Sequence, residues 1–243
     1  MQKINPALYT PIAIVVAGII VAIAVLVIGH SGGSSGSTAV TTTTTTTSPS
    51  ATTTVNSADV STTGDPIVGQ ANAPLTIVYW FDYQCPFCRE NEEDTMPGVI
   101  TNYVDTGKVK IDYKDFSFLG TDSDTLGHYG RAVWAVAPSE FGAWHKAVYD
   151  AQGEENTGWA TTAEIQKITA SVLSASQTAQ VMQLAVTDAT QYQAAMDADK
   201  QQGENDGVQG TPAMLIGNQL VAGDESYAQV SAVIDAQLAA VSK

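Results

Sequence analysis

Cys85 and Cys88 are the two cysteines of the 243-residue chain, and Pro86 and Phe87 separate them. An apolar run precedes the pair and a helical pattern begins at it, which places the pair at a helix N-terminus. Unpaired backbone N–H groups and the helix dipole stabilise a thiolate there. The pKa of Cys85 should therefore fall below the ~8.5 of a free thiol. Pro86 suits the first helical turn, where its missing N–H is not needed. The spacing predicts thiol–disulfide exchange, with Cys85 as the nucleophile and Cys88 as the resolving thiol.

Other uses of the pair remain open. A zinc site needs four ligands, and the chain offers only His30, His128 and His145 beside the two cysteines. A copper carrier would use the two thiolates as soft ligands, although no Met-rich or His-rich tract accompanies them. A structural disulfide would close a very small loop and constrain the unfolded chain little. We predict no metal and no cofactor other than the redox-active Cys85–Cys88 disulfide.

A second motif, Val208-Gln209-Gly210-Thr211-Pro212-Ala213, stands directly before a predicted strand. Proline cannot donate a hydrogen bond to a sheet, so at the start of a strand it marks a turn or a cis peptide bond. The motif is a weak signal when taken alone.

Strands and helices alternate on both sides of a long helical region. A continuous apolar run at Leu75–Phe81 predicts a strand buried on both faces. A helix that Pro97 should kink follows it, and then a strand at 109–114, half-buried because its charged residues alternate with apolar ones. Residues from about 124 to 202 carry only helical patterns. His145 lies there on an apolar helix face and is predicted to be a packed core histidine.

The end of the chain predicts a hairpin and a last helix. Strand patterns at 213–216 and 219–221 flank Gly217-Asn218, a two-residue turn signal. Apolar residues at helical spacing follow from Tyr227 to Leu238. The resulting order is β-α-β, a helical block, then β-β-α.

The N-terminal part predicts a membrane anchor and a linker. Leu8–Ile28 contains no charged residue and is long enough to span a ~30 Å hydrocarbon core. Lys3 precedes it, so the N-terminus should stay in the cytoplasm and the remainder should cross; a cleaved signal peptide is the alternative. Residues 31–64 are mostly Ser, Thr, Gly and Ala, which predicts a disordered linker. We therefore assign 1–30 to a transmembrane anchor, 31–64 to the linker and 65–243 to the folded domain.

The chain carries 10 basic and 25 acidic residues, a formal net charge of −15. Nucleic-acid binding requires clustered Lys and Arg, so this balance argues against a nucleic-acid partner.

The stretch APLTIVYWFDYQCPFC, the helical block and the Gly-Thr-Pro motif together resemble the thioredoxin superfamily, and within it the DsbA-like branch. The resemblance covers about 65–238. It implies an α/β thioredoxin-like fold (βαβ–ββα) with an inserted helical block. It further implies that Cys85 is the exposed nucleophile and Cys88 the resolving thiol. By the same resemblance, Thr211-Pro212 forms a cis peptide that faces the disulfide and guides an extended client.

The sequence departs from this family at Tyr79. Relatives commonly have a buried Glu there, which moves the proton of the second thiol. Asp82, a water or another carboxylate would have to replace it. Acidic residues also crowd the helix after the pair, at Glu90, Glu92, Glu93 and Asp94, where we expect a solvated face; negative charge disfavours a thiolate. Because Phe87 offers Cys85 neither charge nor a hydrogen bond, we predict a milder oxidant than the strongest family members.

The combined expectation is an extracytoplasmic protein disulfide oxidoreductase that forms disulfides in exported cysteine-containing proteins. A membrane thiol oxidase, DsbB-like or VKOR-like, is the expected electron acceptor. The tether would keep the domain near emerging chains and near that partner. A reductase, an isomerase, a copper carrier and a non-catalytic scaffold domain are the alternatives.

Overall fold

The computed structural model describes residues 55–242. The predicted anchor at 1–30 and most of the predicted linker lie outside the described residues. Within 55–242, no helix combines the length and the apolar character that crossing a bilayer requires.

A five-stranded sheet forms the centre of the domain, with strands in the order β1-β3-β2-β4-β5. Strands β2 and β3 run parallel, and the other neighbouring pairs are antiparallel. The strands are β1 (Ile67–Gly69), β2 (Leu75–Phe81), β3 (Val109–Asp115), β4 (Ala213–Ile216) and β5 (Gln219–Ala222). The predicted strand at 75–81 and the predicted hairpin are confirmed, whereas the three-residue β1 was not predicted. Strand β2 is buried on both faces, as expected of its continuous apolar run.

Eight α-helices surround the sheet in the described part of the chain. They are α1 (Pro86–Asp94), α2 (Met96–Val99), α3 (Thr121–Val136), α4 (Phe141–Asp150), α5 (Thr162–Val172), α6 (Ala175–Thr187), α7 (Ala189–Asn205) and α8 (Tyr227–Val241). The βαβ–ββα order with an inserted helical block is confirmed. The block spans 121–205, slightly more than the predicted 124–202.

The helix after the cysteine pair is interrupted, as Pro97 predicted. Helix α1 ends at Asp94, and α2 begins at Met96 and continues into one π-helical turn, Ile100–Val104. The break lies two residues before Pro97, because proline lacks an N–H and its ring clashes with the carbonyl four residues earlier. The break fixes α1 as a short helix whose N-terminus carries the cysteine pair.

The folded domain begins earlier than the predicted boundary at Asp65. Ser57 donates its backbone N–H to the Gly217 carbonyl at 2.7 Å and its hydroxyl to the Thr76 carbonyl at 2.7 Å. Val60 is buried, and the Ser61 carbonyl accepts from Lys114 Nζ at 2.7 Å. Residues 57–64 therefore belong to the domain and not to the linker. Their polar composition led to the wrong boundary, because hydrogen bonds rather than apolar burial hold most of these residues in the domain.

The prediction of a half-buried β3 with solvent-facing charges was wrong. Asp112 and Lys114 are both buried. The Lys114 ammonium contacts Asp65, lies 3.1 Å from Asp199 Oδ1 and lies 3.8 Å from Asp112 Oδ2. Arg131 of α3 adds ion pairs to Asp65, Asp115 and Asp199. Alternation alone cannot separate a solvated charge from a buried, paired one.

The buried ion cluster should make stability fall as pH rises. It holds four carboxylates against two cations, and neither oxygen of Asp112 accepts a hydrogen bond from any described group. Burial, reinforced by Asp65 and Asp199 and opposed by Lys114, raises the pKa of Asp112 to about 7. Below about pH 4 the carboxyl is protonated in the folded and the unfolded chain alike. Between about pH 4 and 7 the unfolded chain releases this proton first, so the free energy of unfolding falls.

Asp112→Asn should remove this dependence. We expect the variant to lie within about 1 kcal/mol of the wild type near pH 4.5 and to exceed its free energy of unfolding at pH 8 by on the order of 3 kcal/mol. Urea denaturation at both pH values measures the difference, with the exposed Asp105→Asn as the matched control. A variant less stable than the wild type at pH 8 would mean that the attraction of Lys114 outweighs burial.

Candidate active site

Helix α1 begins at the cysteine pair. Cys85 is the N-cap residue, with φ −69° and ψ 120°, and Pro86 occupies the first helical turn. The Cys85 N–H donates to the Asp82 carbonyl at 3.0 Å, which closes a turn between the end of β2 and the helix. Buried β2 and this turn therefore fix the position of the first thiol.

The two cysteines are free thiols with different surroundings. The expectation of an exposed Cys85 is wrong for this structure, because only 4% of the residue's surface is exposed. Its neighbour Pro86 is exposed, and its Sγ lies 3.4 Å from the Thr211 carbonyl. Cys88 lies one turn further along α1 and is fully buried. A client thiol can therefore approach Cys85 but not Cys88.

The surroundings separate the pKa values of the two thiols. A hydrogen bond from Cys88, assisted by the Thr211 hydroxyl and by the backbone N–H groups of Cys88 and Phe87, lowers the pKa of Cys85 to about 6 against the opposing effect of burial. Burial, followed by the hydrogen bond and the charge of Cys85, raises the pKa of Cys88 well above its usual value. At neutral pH Cys85 is a thiolate, the reactive form, and Cys88 is a thiol.

The Gly-Thr-Pro motif lies opposite the pair. The Thr211-Pro212 peptide bond is cis, and β4 begins at the next residue. Strand β4 pairs with β2, so the loop before β4 is held beside the turn that follows β2. The Thr211 hydroxyl is buried and makes no hydrogen bond to the Cys85 thiol or to any other group within residues 55–242, so it can donate to Cys85 once that residue is a thiolate.

Alkylation should report the lowered pKa of Cys85. In the reduced protein we expect the iodoacetamide reaction rate of Cys85 to rise with pH to a plateau, with a midpoint at about pH 6. Thr211→Val removes a donor to the thiolate, so its midpoint should move to higher pH, while Thr187→Val on the distant α6 should leave the midpoint unchanged. An unshifted midpoint in Thr211→Val would exclude the hydroxyl as a source of thiolate stabilisation.

Asp82 is buried, and its carboxylate is fully occupied. Oδ1 accepts from the Gln84 N–H at 2.8 Å and from the Ser123 hydroxyl at 2.6 Å. Oδ2 accepts from the N–H groups of Phe118 and Leu119 at 2.9 and 3.1 Å. The side chain therefore ties the loop after β3 and the start of α3 to the cysteine turn.

Two glutamines that the sequence analysis did not single out hold the same turn. The Gln84 side-chain amide donates to the Leu119 carbonyl at 2.7 Å, and its oxygen accepts from the Asn156 N–H at 2.8 Å. The Gln152 amide donates to the carbonyls of Tyr83 and Cys85 at 2.8 and 3.1 Å. Because an isolated glutamine has no sequence periodicity, only its contacts reveal this role.

Tyr79 is buried on β2, and its hydroxyl has no partner among the residues that the structure describes. The prediction of a solvated acidic face on α1 fails at Glu92, which is 4% exposed.

His145 is buried as predicted, with its Nδ1 3.0 Å from the Tyr83 hydroxyl. His128 Nε2 lies 2.9 Å from Gln193 Oε1. His128 and His145, the two described histidines that a zinc site could use, thus each have a ring nitrogen within 3.0 Å of a side chain that is not a cysteine.

The surface around Cys85 offers apolar and polar contacts. The side chain of Phe87, which lies between the two cysteines in the chain, is 57% exposed. A groove of about 610 Å³ runs beside α1 and is lined by Gln84, Pro86, Arg89 and Gln152 among others. The groove reaches Pro86, next to Cys85 in the chain, and four glutamates, Glu90, Glu93, Glu154 and Glu155, also line it.

Comparisons with known proteins agree with this arrangement. The family model described as thioredoxin matches residues 61–236. Disulfide bond formation protein D of Bacillus subtilis (strain 168) is 22% identical over 182 residues, covering 75% of this chain and 81% of the relative. The probable disulfide bond formation protein D of Bacillus anthracis is 30% identical over 94 residues, covering 39% of this chain and 43% of the relative.

Two solved structures share the fold. Oxidised BdbD from Bacillus subtilis superposes with a TM-score of 0.66 at 22% identity, over 74% of this chain and 95% of that one. The catalytic domain of Proteus mirabilis ScsC superposes with a TM-score of 0.58 at 24% identity, over 72% and 90%. With the family match over most of the domain, the chain belongs to the thioredoxin family and is a DsbA-like protein thiol–disulfide oxidoreductase.

Proposed function

We propose that the protein forms disulfide bonds in exported proteins by exchange through Cys85 and Cys88. The observation that carries this proposal is the difference between the two thiols at the start of α1. Cys85 has a pKa lowered to about 6 and is the less buried of the two, whereas Cys88 is fully buried with a raised pKa. A stabilised Cys85 thiolate favours the reduced form of the enzyme, which makes its disulfide an oxidant of other thiols.

The exchange proceeds in two displacements. A client thiolate attacks Sγ of Cys85, forming the mixed disulfide and breaking the Cys85–Cys88 bond with its electron pair on Cys88. A second client thiolate then attacks the client sulfur of the mixed disulfide. The client disulfide forms, and Cys85 leaves as a thiolate that its low pKa makes a good leaving group. The protein gains two electrons, and a further partner must remove them.

The client is an extended segment laid between the cis-proline loop and α1. Thr211 and Pro212 precede β4 and would guide its backbone, while the exposed Phe87 offers an apolar contact beside the attacked sulfur. The groove beside α1 reaches Pro86, the residue after Cys85. Contacts to backbone and to apolar side chains suit clients of varied sequence.

The catalytic domain works outside the cytoplasm and passes its electrons to a membrane thiol oxidase. The uncharged run Leu8–Ile28 supports an N-terminal anchor, and the relatives named for disulfide bond formation support an oxidising role. A tether on the outer face would keep the domain close to clients and to the oxidase.

The reduction potential tests the direction of exchange. We expect the full chain in detergent, equilibrated with glutathione, to have a potential above about −200 mV but below the ~−120 mV of the strongest oxidant, since the Cys85 pKa of about 6 lies above that enzyme's ~3.5. A potential near −270 mV would instead identify a reductase. A chain with no reversible transition, holding stoichiometric copper or zinc after reduction, would be a metal carrier.

A further inference from the structure

Side chains from the end of α4 donate to carbonyl groups of the turn that joins β2 to α1. The Tyr149 hydroxyl donates to the Asp82 carbonyl at 3.1 Å. Gln152 follows the last residue of α4 by two positions, and its side-chain amide donates to the carbonyls of Tyr83 and Cys85 at 2.8 and 3.1 Å. The inserted helical block is therefore hydrogen-bonded to the backbone of the cysteine turn itself.

Gln152 provides a hydrogen bond that the backbone of the turn does not. No backbone N–H within residues 55–242 donates to the carbonyl of Tyr83. The backbone at Cys85 is extended, with ψ 120°, and Pro86 has no N–H, so neither a further turn nor the start of α1 offers a donor there. Because an unpaired carbonyl in a buried residue is unfavourable, the Gln152 amide stabilises this conformation of the turn.

The second carbonyl that Gln152 contacts belongs to the residue that carries the reactive sulfur. The Cys85 carbonyl accepts from the Arg89 N–H at 3.2 Å and from the Gln152 amide. A carbonyl oxygen has a partial negative charge, and negative charge near a thiol disfavours the thiolate. The side-chain NH₂ group of a glutamine has two donor hydrogens, one for each carbonyl. Gln152 therefore offsets the partial charges of both oxygens.

The same contacts help to fix where the sulfur lies. The N–H groups of Phe87 and Cys88 can stabilise a Cys85 thiolate only while the turn holds Cys85 at the N-terminus of α1. Asp82 ties the turn to the loop after β3, whereas Gln152 holds the backbone of Cys85 directly. Gln152 is half-buried and lines the groove beside α1, so replacing it leaves the hydrophobic core intact.

We infer that Gln152 is a positioning residue of the active site, whose amide holds the Tyr83 and Cys85 carbonyls so that the Cys85 thiolate stays at the N-terminus of α1. The inference rests on the proposed exchange role of Cys85. Gln152 acts only through Cys85 and transfers neither a proton nor an electron. Because a stabilised Cys85 thiolate favours the reduced protein, this residue of the helical block helps to set how strongly oxidising the Cys85–Cys88 disulfide is.

Two substitutions of Gln152 test the inference in the full chain in detergent. Gln152→Leu removes the donor without adding charge. Gln152→Glu replaces the amide with a carboxylate that, when ionised, cannot donate and repels both carbonyls. The wild-type midpoint of Cys85 alkylation by iodoacetamide is expected at about pH 6. This midpoint should rise by about half a pH unit in Gln152→Leu and by about one pH unit in Gln152→Glu.

The reduction potential should change in the same order. When the pH lies above both midpoints, raising the pKa of Cys85 by one unit lowers the equilibrium constant for reduction by glutathione about tenfold. At pH 8 we therefore expect this constant to fall about threefold in Gln152→Leu and about tenfold in Gln152→Glu, which corresponds to about 15 and 30 mV. Both variants should be milder oxidants than the wild type.

A matched control separates this effect from stability. Gln201→Leu makes the same exchange at an exposed position of α7 and should leave the midpoint and the potential unchanged. If Gln152→Leu matches Gln201→Leu in both measurements, the inference is overturned even where Tm falls, because a merely structural glutamine changes stability alone. The nearly isosteric Gln152→Glu applies the same test if Gln152→Leu folds poorly, and an unshifted midpoint there also overturns the inference. A wild-type potential near −270 mV would refute the proposed direction of exchange, while the midpoint of Cys85 would still test the role of Gln152.

Discussion

Replacing Cys88 by serine should turn the protein into a trap for its clients. Cys85 of the variant still forms mixed disulfides, because Cys85, unlike Cys88, is not fully buried. Without a second thiol, no intramolecular attack releases the client. Incubation with oxidised client proteins, followed by non-reducing electrophoresis and intact-mass analysis, should show covalent complexes that the wild type does not accumulate.

Cys85→Ser should show no complexes and should lose client oxidation on the order of 10⁴-fold or more, as when other enzymes lose a nucleophile. The fully buried Cys88 cannot take over, since a client sulfur does not reach it. Complexes formed through Cys88 in the Cys85→Ser variant would reverse the proposed assignment of the two thiols. Full activity of that variant would favour the scaffold alternative.

The elements of this protein that could be predicted from the sequence are those whose structure depends on residues close together in the chain. Strand β2 could be recognised because its residues are mostly β-branched or aromatic, and six of the seven are apolar and buried. The β4–β5 hairpin follows from Gly217-Asn218, a turn in which Gly217 has φ 59°. The cysteine pair and the Thr211-Pro212 loop are contiguous motifs, so their placement depends on only a few neighbouring residues.

The parts that could not be predicted depend on contacts between distant residues. Glu92 belongs to a run of acidic residues, and nothing in that run shows that one side chain turns inward to His145, 53 positions later. Asp112 and Lys114 alternate like solvent-facing charges until Arg131 and Asp199 are brought against them. Buried charges are tolerated only when paired, and the pairing exists only in the fold.

The beginning of the domain illustrates the same limit. Residues 57–64 share the Ser/Thr composition of the predicted linker, yet Ser57 hydrogen-bonds to Gly217 and Thr76. Composition predicts disorder from the lack of apolar surface. Composition gives no information about backbone and hydroxyl hydrogen bonds to a neighbouring strand, because these bonds form only when that strand is in place.

Asp82 shows why a polar residue next to the cysteine turn need not take part in proton transfer. The sequence analysis named it as a candidate to replace the family's buried Glu. Its carboxylate instead accepts hydrogen bonds from Gln84, Phe118, Leu119 and Ser123. Those bonds join three segments that are far apart in sequence, so the side chain acts as a structural junction beside the thiols.

Asp82→Asn should therefore destabilise the fold strongly and leave the resolving chemistry unchanged. The amide group replaces one acceptor oxygen with an N–H donor that faces other donors, so about two charge-assisted hydrogen bonds are lost. We expect the free energy of unfolding to fall by about 3 kcal/mol and Tm by roughly 6–12 °C. Below its Tm, the variant should keep the wild-type pH profile of the step in which Cys88 releases glutathione from Cys85, because the hydrogen-bonded Asp82 carboxylate has no free position to accept the Cys88 proton. Unchanged stability with an altered pH profile would return the proton-transfer role to Asp82.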